Sequence, residues 1–89
     1  MINSNRLTII PADGAVYLDA GVFIDLDLSS CGIPENIHAL QWLNNKGHIE
    51  YVGHVEMNTD ITELPAWAIK CVEEWEKANA IPPPADSPV

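Results

Sequence analysis

Carboxylates and histidines are the side chains of this sequence that could do chemistry beyond packing. Asp25 and Asp27 are spaced to share one face of a strand, where paired carboxylates could hold a divalent cation or act as acid and base. A zinc site needs three or four convergent ligands, and the spacing of the histidines does not supply them. We therefore expect no metal and no cofactor, and we interpret both carboxylates as the solvated side of an amphipathic strand. The histidines, which we interpret as solvated side chains, are His38, His48 and His54.

The sequence carries no motif of a nucleophilic or nucleotide-binding enzyme. Ser29 and Cys31 lie beside Gly32, but no G-x-S-x-G context surrounds them and no motif places a histidine as their base. No G-x-G-x-x-G or Walker sequence occurs either. A chain of 89 residues also has little room for a deep substrate pocket. We therefore expect a protein without enzymatic activity and without catalytic residues.

The two cysteines are far apart in the chain and form no C-x-x-C pair. Cys71 falls on the apolar face of a predicted helix, where packing in the core is its expected role. Two cysteines allow only one disulfide, fewer than small secreted domains usually have. We therefore interpret Cys31 and Cys71 as free thiols of a protein made in a reducing cytoplasm, with no signal peptide before them.

The charge balance limits the classes of partner. The chain has 13 Asp and Glu against 4 Lys and Arg, a formal net charge of −9. Phosphate contacts need clustered Lys and Arg, so we expect neither nucleic-acid binding nor binding to an anionic membrane surface. Hydrophobic residues make up 47% of the chain and charged residues 19%, which is typical of a folded domain. No apolar run approaches the roughly 20 residues that a membrane-spanning helix needs.

The spacing of apolar residues predicts about five short strands. Residues 22–28 alternate, which places Ile24, Leu26 and Leu28 on one face and Asp25 and Asp27 on the other. Residues 44–47 predict a four-residue hairpin connection, because Asn and Gly tolerate a positive φ. Residues 53–59 are predicted to be a surface connection. The predicted strands are residues 7–10, 15–18, 22–28, 37–43 and 48–52.

The last element of the sequence is an amphipathic helix. Pro65 fits its first position, where the missing N–H costs nothing. Glu73 precedes Lys77 at the spacing that favours an ion pair on a helix surface. The apolar side chains recur at the helical spacing of i, i+3, i+4 and i+7. They are Leu64, Trp67, Ala68, Cys71, Val72, Trp75 and Ala78.

These elements predict an α+β fold. It is a small antiparallel β-sheet or partly open barrel of about five strands, covered by one C-terminal amphipathic helix with Trp67 and Trp75 as its anchors. The aromatic residues expected to pack with them in the core are Trp42, Tyr17 and Phe23. The helix should end near Ala80, because the prolines that follow cannot continue it. The predicted organisation is therefore a single domain, residues 1–80, followed by a Pro-rich C-terminal tail, residues 81–89.

The tail is the predicted partner-binding segment. Three consecutive prolines, Pro82, Pro83 and Pro84, impose an extended polyproline conformation that can dock in a groove of another protein. A stiff spacer or a disordered end is the competing interpretation. Addition of a strand to an exposed edge of the sheet would be a second way to bind a partner.

Several blocks of the sequence carry a family resemblance. The run I-H-A-L-Q-W at residues 37–42, followed by G-H-I-E-Y at residues 47–51, is the most specific of them. Residues 6–16 and residues 60–76 add an opening hairpin and the start of the helix. Together the blocks cover most of the chain, and they resemble a family of small tailed-bacteriophage proteins described as tail proteins or tail-fibre assembly chaperones. The resemblance implies no catalytic residues.

The function that the resemblance implies is assembly. We expect a non-enzymatic, acidic tail-associated protein that binds a tail-fibre or receptor-binding protein, assists its assembly and could form a homo-oligomer. It would act in the host cytoplasm during assembly and could remain in the virion tail. Two alternatives stay open, namely a structural component of the tail or baseplate and an acidic host-directed inhibitor that mimics nucleic acid.

Overall fold

The computed structural model describes residues 5–54 and 57–80, and these residues form one sheet and one long helix. The strands are β1 (Arg6–Ile10), β2 (Ala15–Leu18), β3 (Gly21–Phe23), β4 (Ile37–Leu43), β5 (Lys46–Tyr51) and β6 (Thr59–Ile61). The helix is α1 (Ala66–Ala80), and two short 3₁₀ segments occupy Pro11–Asp13 and Val52–His54.

The sheet is open and antiparallel throughout, with the strand order β3-β2-β1-β4-β5-β6. The hairpins β1–β2 and β4–β5 lie at its centre because β1 pairs with β4. The predicted α+β fold with a single C-terminal helix is confirmed. The sheet has six strands among the described residues, one more than the five expected.

One face of the sheet is built from two rows of residues that cross all six strands. Directly opposed residues in neighbouring strands share a face, so the register identifies each row. The first row, from β3 to β6, is Phe23, Val16, Ile9, Leu40, Ile49 and Thr59. The second row is Gly21, Leu18, Leu7, Trp42, Gly47 and Ile61.

Helix α1 covers this apolar face. Its buried side chains join the central residues of both rows in a single hydrophobic cluster. Trp75 is 7% exposed, and its indole N–H donates a hydrogen bond to the carbonyl of Gly21 at 3.2 Å. The ring of Phe23 meets Trp75 edge to face, with 5.6 Å between centroids. Trp75 therefore ties the second half of the helix to the edge strand β3, whereas Trp67 is only half-buried.

The prediction of a strand over residues 22–28 is wrong beyond Phe23. Asp25 has a φ of 59°, which ends the extended conformation. The next residues pair with the end of the 3₁₀ segment instead of continuing beside β2. The amide of Asp25 donates to the carbonyl of Asp13, and the amide of Leu26 donates to the carbonyl of Gly14, both at 3.0 Å. Ile24 and Leu28 were expected on the same buried face, but Ile24 is 61% exposed while Leu28 is buried.

The central hairpin is tighter than expected. Strand β4 ends at Leu43 and β5 begins at Lys46, so two residues form the turn rather than the four expected at 44–47. Asn44 and Asn45 have φ values of 53° and 71°, the consecutive positive values that a type I′ turn requires. The irregular connection expected at residues 53–59 ends in a strand, because Thr59 begins β6.

The helix differs from its prediction in two details. It begins at Ala66, and the carbonyl of Pro65 accepts the first hydrogen bonds of the helix, so Pro65 is the N-cap rather than the first helical residue. Lys77 pairs with Glu74 at 3.0 Å, not with Glu73. The spacing i, i+3 and the spacing i, i+4 compete on a helix surface, and the exposed pair contributes little stability in either case.

The two tryptophans of α1 should differ in their effect on stability. Replacing Trp75 with Ala should lower the free energy of unfolding by about 3–5 kcal/mol, because it opens a cavity and removes an aromatic contact. Replacing Trp67 with Ala should cost clearly less, since that ring is half-buried. Urea unfolding followed by far-ultraviolet circular dichroism measures both values. Equal costs for the two variants would contradict the position of Trp75 as the main anchor.

Candidate interaction surface

The face of the sheet opposite α1 is not covered by any described helix. A third row of opposed residues crosses all six strands on this side, and we call it the outer row. It is mixed in character, with apolar side chains toward β3 and polar side chains toward β6. The outer row is Val22, Tyr17, Thr8, Gln41, His48 and Asp60.

The apolar end of the outer row is well exposed. Tyr17 was expected in the core, but its register with Thr8 and Val22 places it on the outer face, where it is 38% exposed. Val22, directly opposed to it on β3, is 48% exposed. A tyrosine offers a large contact area, a polar hydroxyl and few rotatable bonds, which is why it is common at protein interfaces. Strand β3 is also an edge of the sheet, so backbone groups lie beside these side chains.

The centre of the outer row is fixed by hydrogen bonds between side chains. The hydroxyl of Thr8 donates to Oε1 of Gln41 at 2.9 Å, and Thr8 is only 7% exposed between its two opposed neighbours. His48 Nε2 lies 2.8 Å from Oε2 of Glu50, two residues further along β5. When His48 is protonated this contact is also an ion pair. These bonds hold the polar side chains in place before any partner arrives.

An open depression of about 920 Å³ lies at the β6 end of this face. Arg6 lines it from β1, Lys46, His48 and Glu50 line it from β5, and Asp60 lines it from β6. Both signs of charge are therefore present. Gly47 belongs to the wall, and a Cβ there would collide with the carbonyl oxygen of Gln41, so the close approach of β5 to β4 requires glycine.

The structure separates the two carboxylates that the sequence placed together. Asp25 lies in the left-handed turn after β3, and Asp27 lies in the loop beyond it, so they share no strand face. Asp27 accepts hydrogen bonds from the amide and the hydroxyl of Ser29, at 3.1 and 2.6 Å. These bonds hold the pKa of Asp27 below its ordinary value. Asp27 therefore shapes its own loop.

The histidines occupy separate places in the described chain. His38 is exposed on β4, His48 belongs to the outer row, and the side chain of His54 lies outside the described part. Within residues 5–54 and 57–80, no group of three or more His, Cys, Asp or Glu side chains is placed to hold a metal ion.

Cys31 and Cys71 are both buried, and both are free thiols. Cys31 follows a turn in which its amide donates to the carbonyl of Leu28, while Cys71 projects from α1. The fold brings the two thiols close enough to influence each other's pKa. Burial raises the pKa of each thiol, because the core disfavours the thiolate. The expected core position of Cys71 is confirmed, and Cys31 joins it there.

The Pro-rich segment predicted to bind a partner lies outside the described residues, so the structure does not place Pro82, Pro83 or Pro84. No helix in the described part of the chain is both long enough and apolar enough to cross a membrane.

The thiols should be protected in the folded protein. Alkylation by iodoacetamide at pH 8 should be at least about tenfold slower in buffer than in 8 M urea, because both thiols are buried and their pKa values are raised.

The same shift gives the stability a dependence on alkaline pH. An unfolded thiol has a pKa of about 8.5. Since the folded pKa is higher, the stability is intact below that pH and falls as the pH rises above it. The double variant Cys31→Ala, Cys71→Ala should show a flatter decline in urea midpoint from pH 8 to pH 10. Equal labelling rates in buffer and urea, or identical declines, would contradict the burial of these groups.

Comparison with known proteins gives no family for this fold. No protein-family model, curated protein or solved structure matches the chain. The resemblance to phage tail proteins therefore rests on the sequence blocks alone.

Proposed function

We propose that this protein is a non-enzymatic phage tail-associated protein that binds a tail-fibre or receptor-binding protein and assists its assembly. The observation that supports the proposal best is the uncovered face of the sheet, with Tyr17 and Val22 exposed at its apolar end. A mixed apolar and polar face held in place by its own hydrogen bonds offers contact area and shape to a partner.

The sequence blocks that resemble the phage family form the framework of this surface. Residues 6–16 span β1 and the start of β2, residues 37–42 lie in β4, and residues 47–51 lie in β5. Residues 60–76 run from β6 into the helix that buries the opposite face. Four of the six outer-row residues lie within the blocks, whereas Tyr17 and Val22 lie outside them.

The exposed edges of the sheet support a role in the assembly of the fibre. A fibre chain that has not yet trimerised exposes strand edges and apolar side chains that promote aggregation. A small protein with a free strand at each edge of its sheet and a rigid mixed face can cover such a segment until the trimer forms. The acidic charge of −9 would oppose self-association of the resulting complex.

Co-expression with the fibre or receptor-binding protein encoded next to this gene tests the proposal. Soluble trimeric fibre should increase, and the fibre should co-purify with this protein. The surface variant Tyr17→Thr, Val22→Thr should weaken the complex by about tenfold or more, as expected for exposed apolar side chains at an interface centre. The matched control is Ile69→Gln, since Ile69 is 44% exposed on the helix and lies away from the outer row.

The outcomes of this test are distinct. Unchanged solubility, trimer yield and co-purification of the fibre would refute the proposal. Stoichiometric protein in purified particles, found by mass spectrometry, would favour a structural component of the tail or baseplate. Host nucleic-acid-handling proteins in a pull-down, without fibre, would favour the acidic inhibitor.

Deletion of residues 81–89 tests the partner-binding role proposed for Pro82, Pro83 and Pro84. The melting temperature should stay nearly unchanged, because the buried cluster of the described chain extends only as far as Trp75. Binding of the fibre should weaken. If binding survives at full strength in the deletion variant, the proline segment has no docking role.

A further inference from the structure

A second open groove, with a volume of about 700 Å³, lies at the loop end of the sheet, away from the depression beside β6. Three segments form it, namely the 3₁₀ segment Pro11–Asp13, the chain that follows β3, and the loop that leads into β4. Val52, just beyond β5, completes the wall. We call this feature the acidic groove, for the charges described below.

Backbone hydrogen bonds build one wall of the acidic groove. The amides of Asp25 and Leu26 donate to the carbonyls of Asp13 and Gly14. Gly14 has a φ of 58°, and a Cβ there would lie 2.6 Å from the carbonyl oxygen of Leu26. Glycine is therefore required for the two segments to approach this closely.

The opposite wall is fixed in the same way. The amide of Ile37 donates to the carbonyl of Pro34 at 3.3 Å, and the amide of Val52 donates to the carbonyl of Asn36 at 2.9 Å. Both walls are thus bonded to neighbouring backbone, so the groove exists without a ligand and little ordering is needed on binding.

The lining of the acidic groove is apolar at its base. Leu28 and Ile37 are 8% and 7% exposed and belong to the core cluster. Ile33 and Leu26 are partly buried against that cluster, and Val52 is 52% exposed. Grooves that combine an apolar base with a few polar groups are the usual form of a binding site.

The charges that line this groove have one sign. Asp13, Asp25 and Glu35 line it and are exposed, and none of the described residues that line it is Lys, Arg or His. The four basic residues of the chain lie elsewhere: Arg6 and Lys46 line the other depression, and Lys70 and Lys77 lie on α1. An apolar side chain with cationic neighbours would complement both the base and the rim.

We propose that the acidic groove binds an extended segment of another protein in which Lys or Arg flanks an apolar side chain. The apolar side chain would pack against the region of Leu28 and Ile37, and the cations would pair with Asp13, Asp25 and Glu35. Opposite charge on the two surfaces also speeds encounter and suppresses binding of acidic segments.

Charge disfavours the two other occupants that the chain itself could provide. A second copy carries the same net charge of −9. Residues 81–89 contain Asp86 and no basic residue, so they do not complement the rim. The inference is independent of the tail-fibre proposal, because it concerns a different surface and a partner defined only by its chemistry.

Fluorescence anisotropy with labelled peptides tests the inference on the full chain. The probe is the hexapeptide K-L-P-L-K-G, and its two controls replace both Lys with Glu or both Leu with Ser. The probe should bind at 50 mM salt at least about tenfold more tightly than either control, because each control removes one half of the complementarity. Amide shifts in a nitrogen-15 NMR titration should be largest at Gly14, Leu26 and Ile33.

A matched pair of variants separates the groove from the overall charge. Asp13→Asn, Asp25→Asn, Glu35→Gln and the control Glu63→Gln, Glu73→Gln, Glu76→Gln each remove three carboxylates, so both change the net charge from −9 to −6. Asn is suited to position 25 because it tolerates a positive φ. The groove variant should bind the probe about tenfold more weakly, and the control variant should change by less than about twofold.

Three results would overturn the inference. They are equal weakening in both triple variants, binding of the Glu peptide as tight as that of the Lys peptide, and amide shifts confined to the outer row. If the triple groove variant fails to fold, the single variant Glu35→Gln and the titration of the unaltered protein decide the question. A failed fibre co-expression would not affect these results, and a failed peptide titration would leave the fibre proposal intact.

Discussion

The fold depends on the packing of one helix, α1, against one face of a six-stranded sheet. The most deeply buried side chains of the two core rows lie on β1, β2 and β4, and α1 supplies a narrow stripe of small and aromatic residues to meet them. Ala68 and Cys71 are fully buried, which allows the helix to lie close to the sheet, and Trp75 reaches out to the edge strand. Without that contact β3 would be a three-residue strand with one neighbour.

This arrangement determines what the rest of the surface can do. A single helix buries a single face, so the outer row has to satisfy its polar groups without a second layer. The bond from Thr8 to Gln41 and the contact of His48 with Glu50 do so within the sheet itself. Tyr17 and Val22 remain partly exposed to water among the described residues, and such exposed apolar area is a candidate contact for a partner.

Much of the framework could be predicted because it depends on local patterns. The strand over residues 37–43 and the apolar stripe of α1 follow from periodicity, and Asn-Asn-Lys-Gly marks a hairpin. The end of the strand at Phe23 could not be predicted, because the apolar and acidic residues do alternate in the sequence. The strand ends because the backbone that follows it pairs with residues 13–14. Strand β6 was missed because three residues carry too little pattern, and its pairing with β5 defines it.

The candidate surfaces could not be predicted from the sequence either, because they too depend on contacts between residues that are distant in the chain. The outer row consists of residues from six strands that no spacing connects, and only the register reveals it. Asp13, Asp25 and Glu35 line one groove because distant loops are joined through main-chain amides and carbonyls, which carry no side-chain signature. By contrast, the sequence did indicate that both Asp25 and Asp27 are solvated, and both are exposed.

The acidic composition acquires a structural meaning from this distribution. An exposed carboxylate contributes little to the stability of the fold. The excess of nine negative charges therefore matters mainly for which molecules the surface repels and which it attracts. Two uncovered apolar regions on a chain of 89 residues would promote self-association if the surface were neutral. Like charge opposes that association, and around the acidic groove it does so without filling the apolar base. In the proposed complex, the same carboxylates would oppose a second copy and attract a segment of opposite charge.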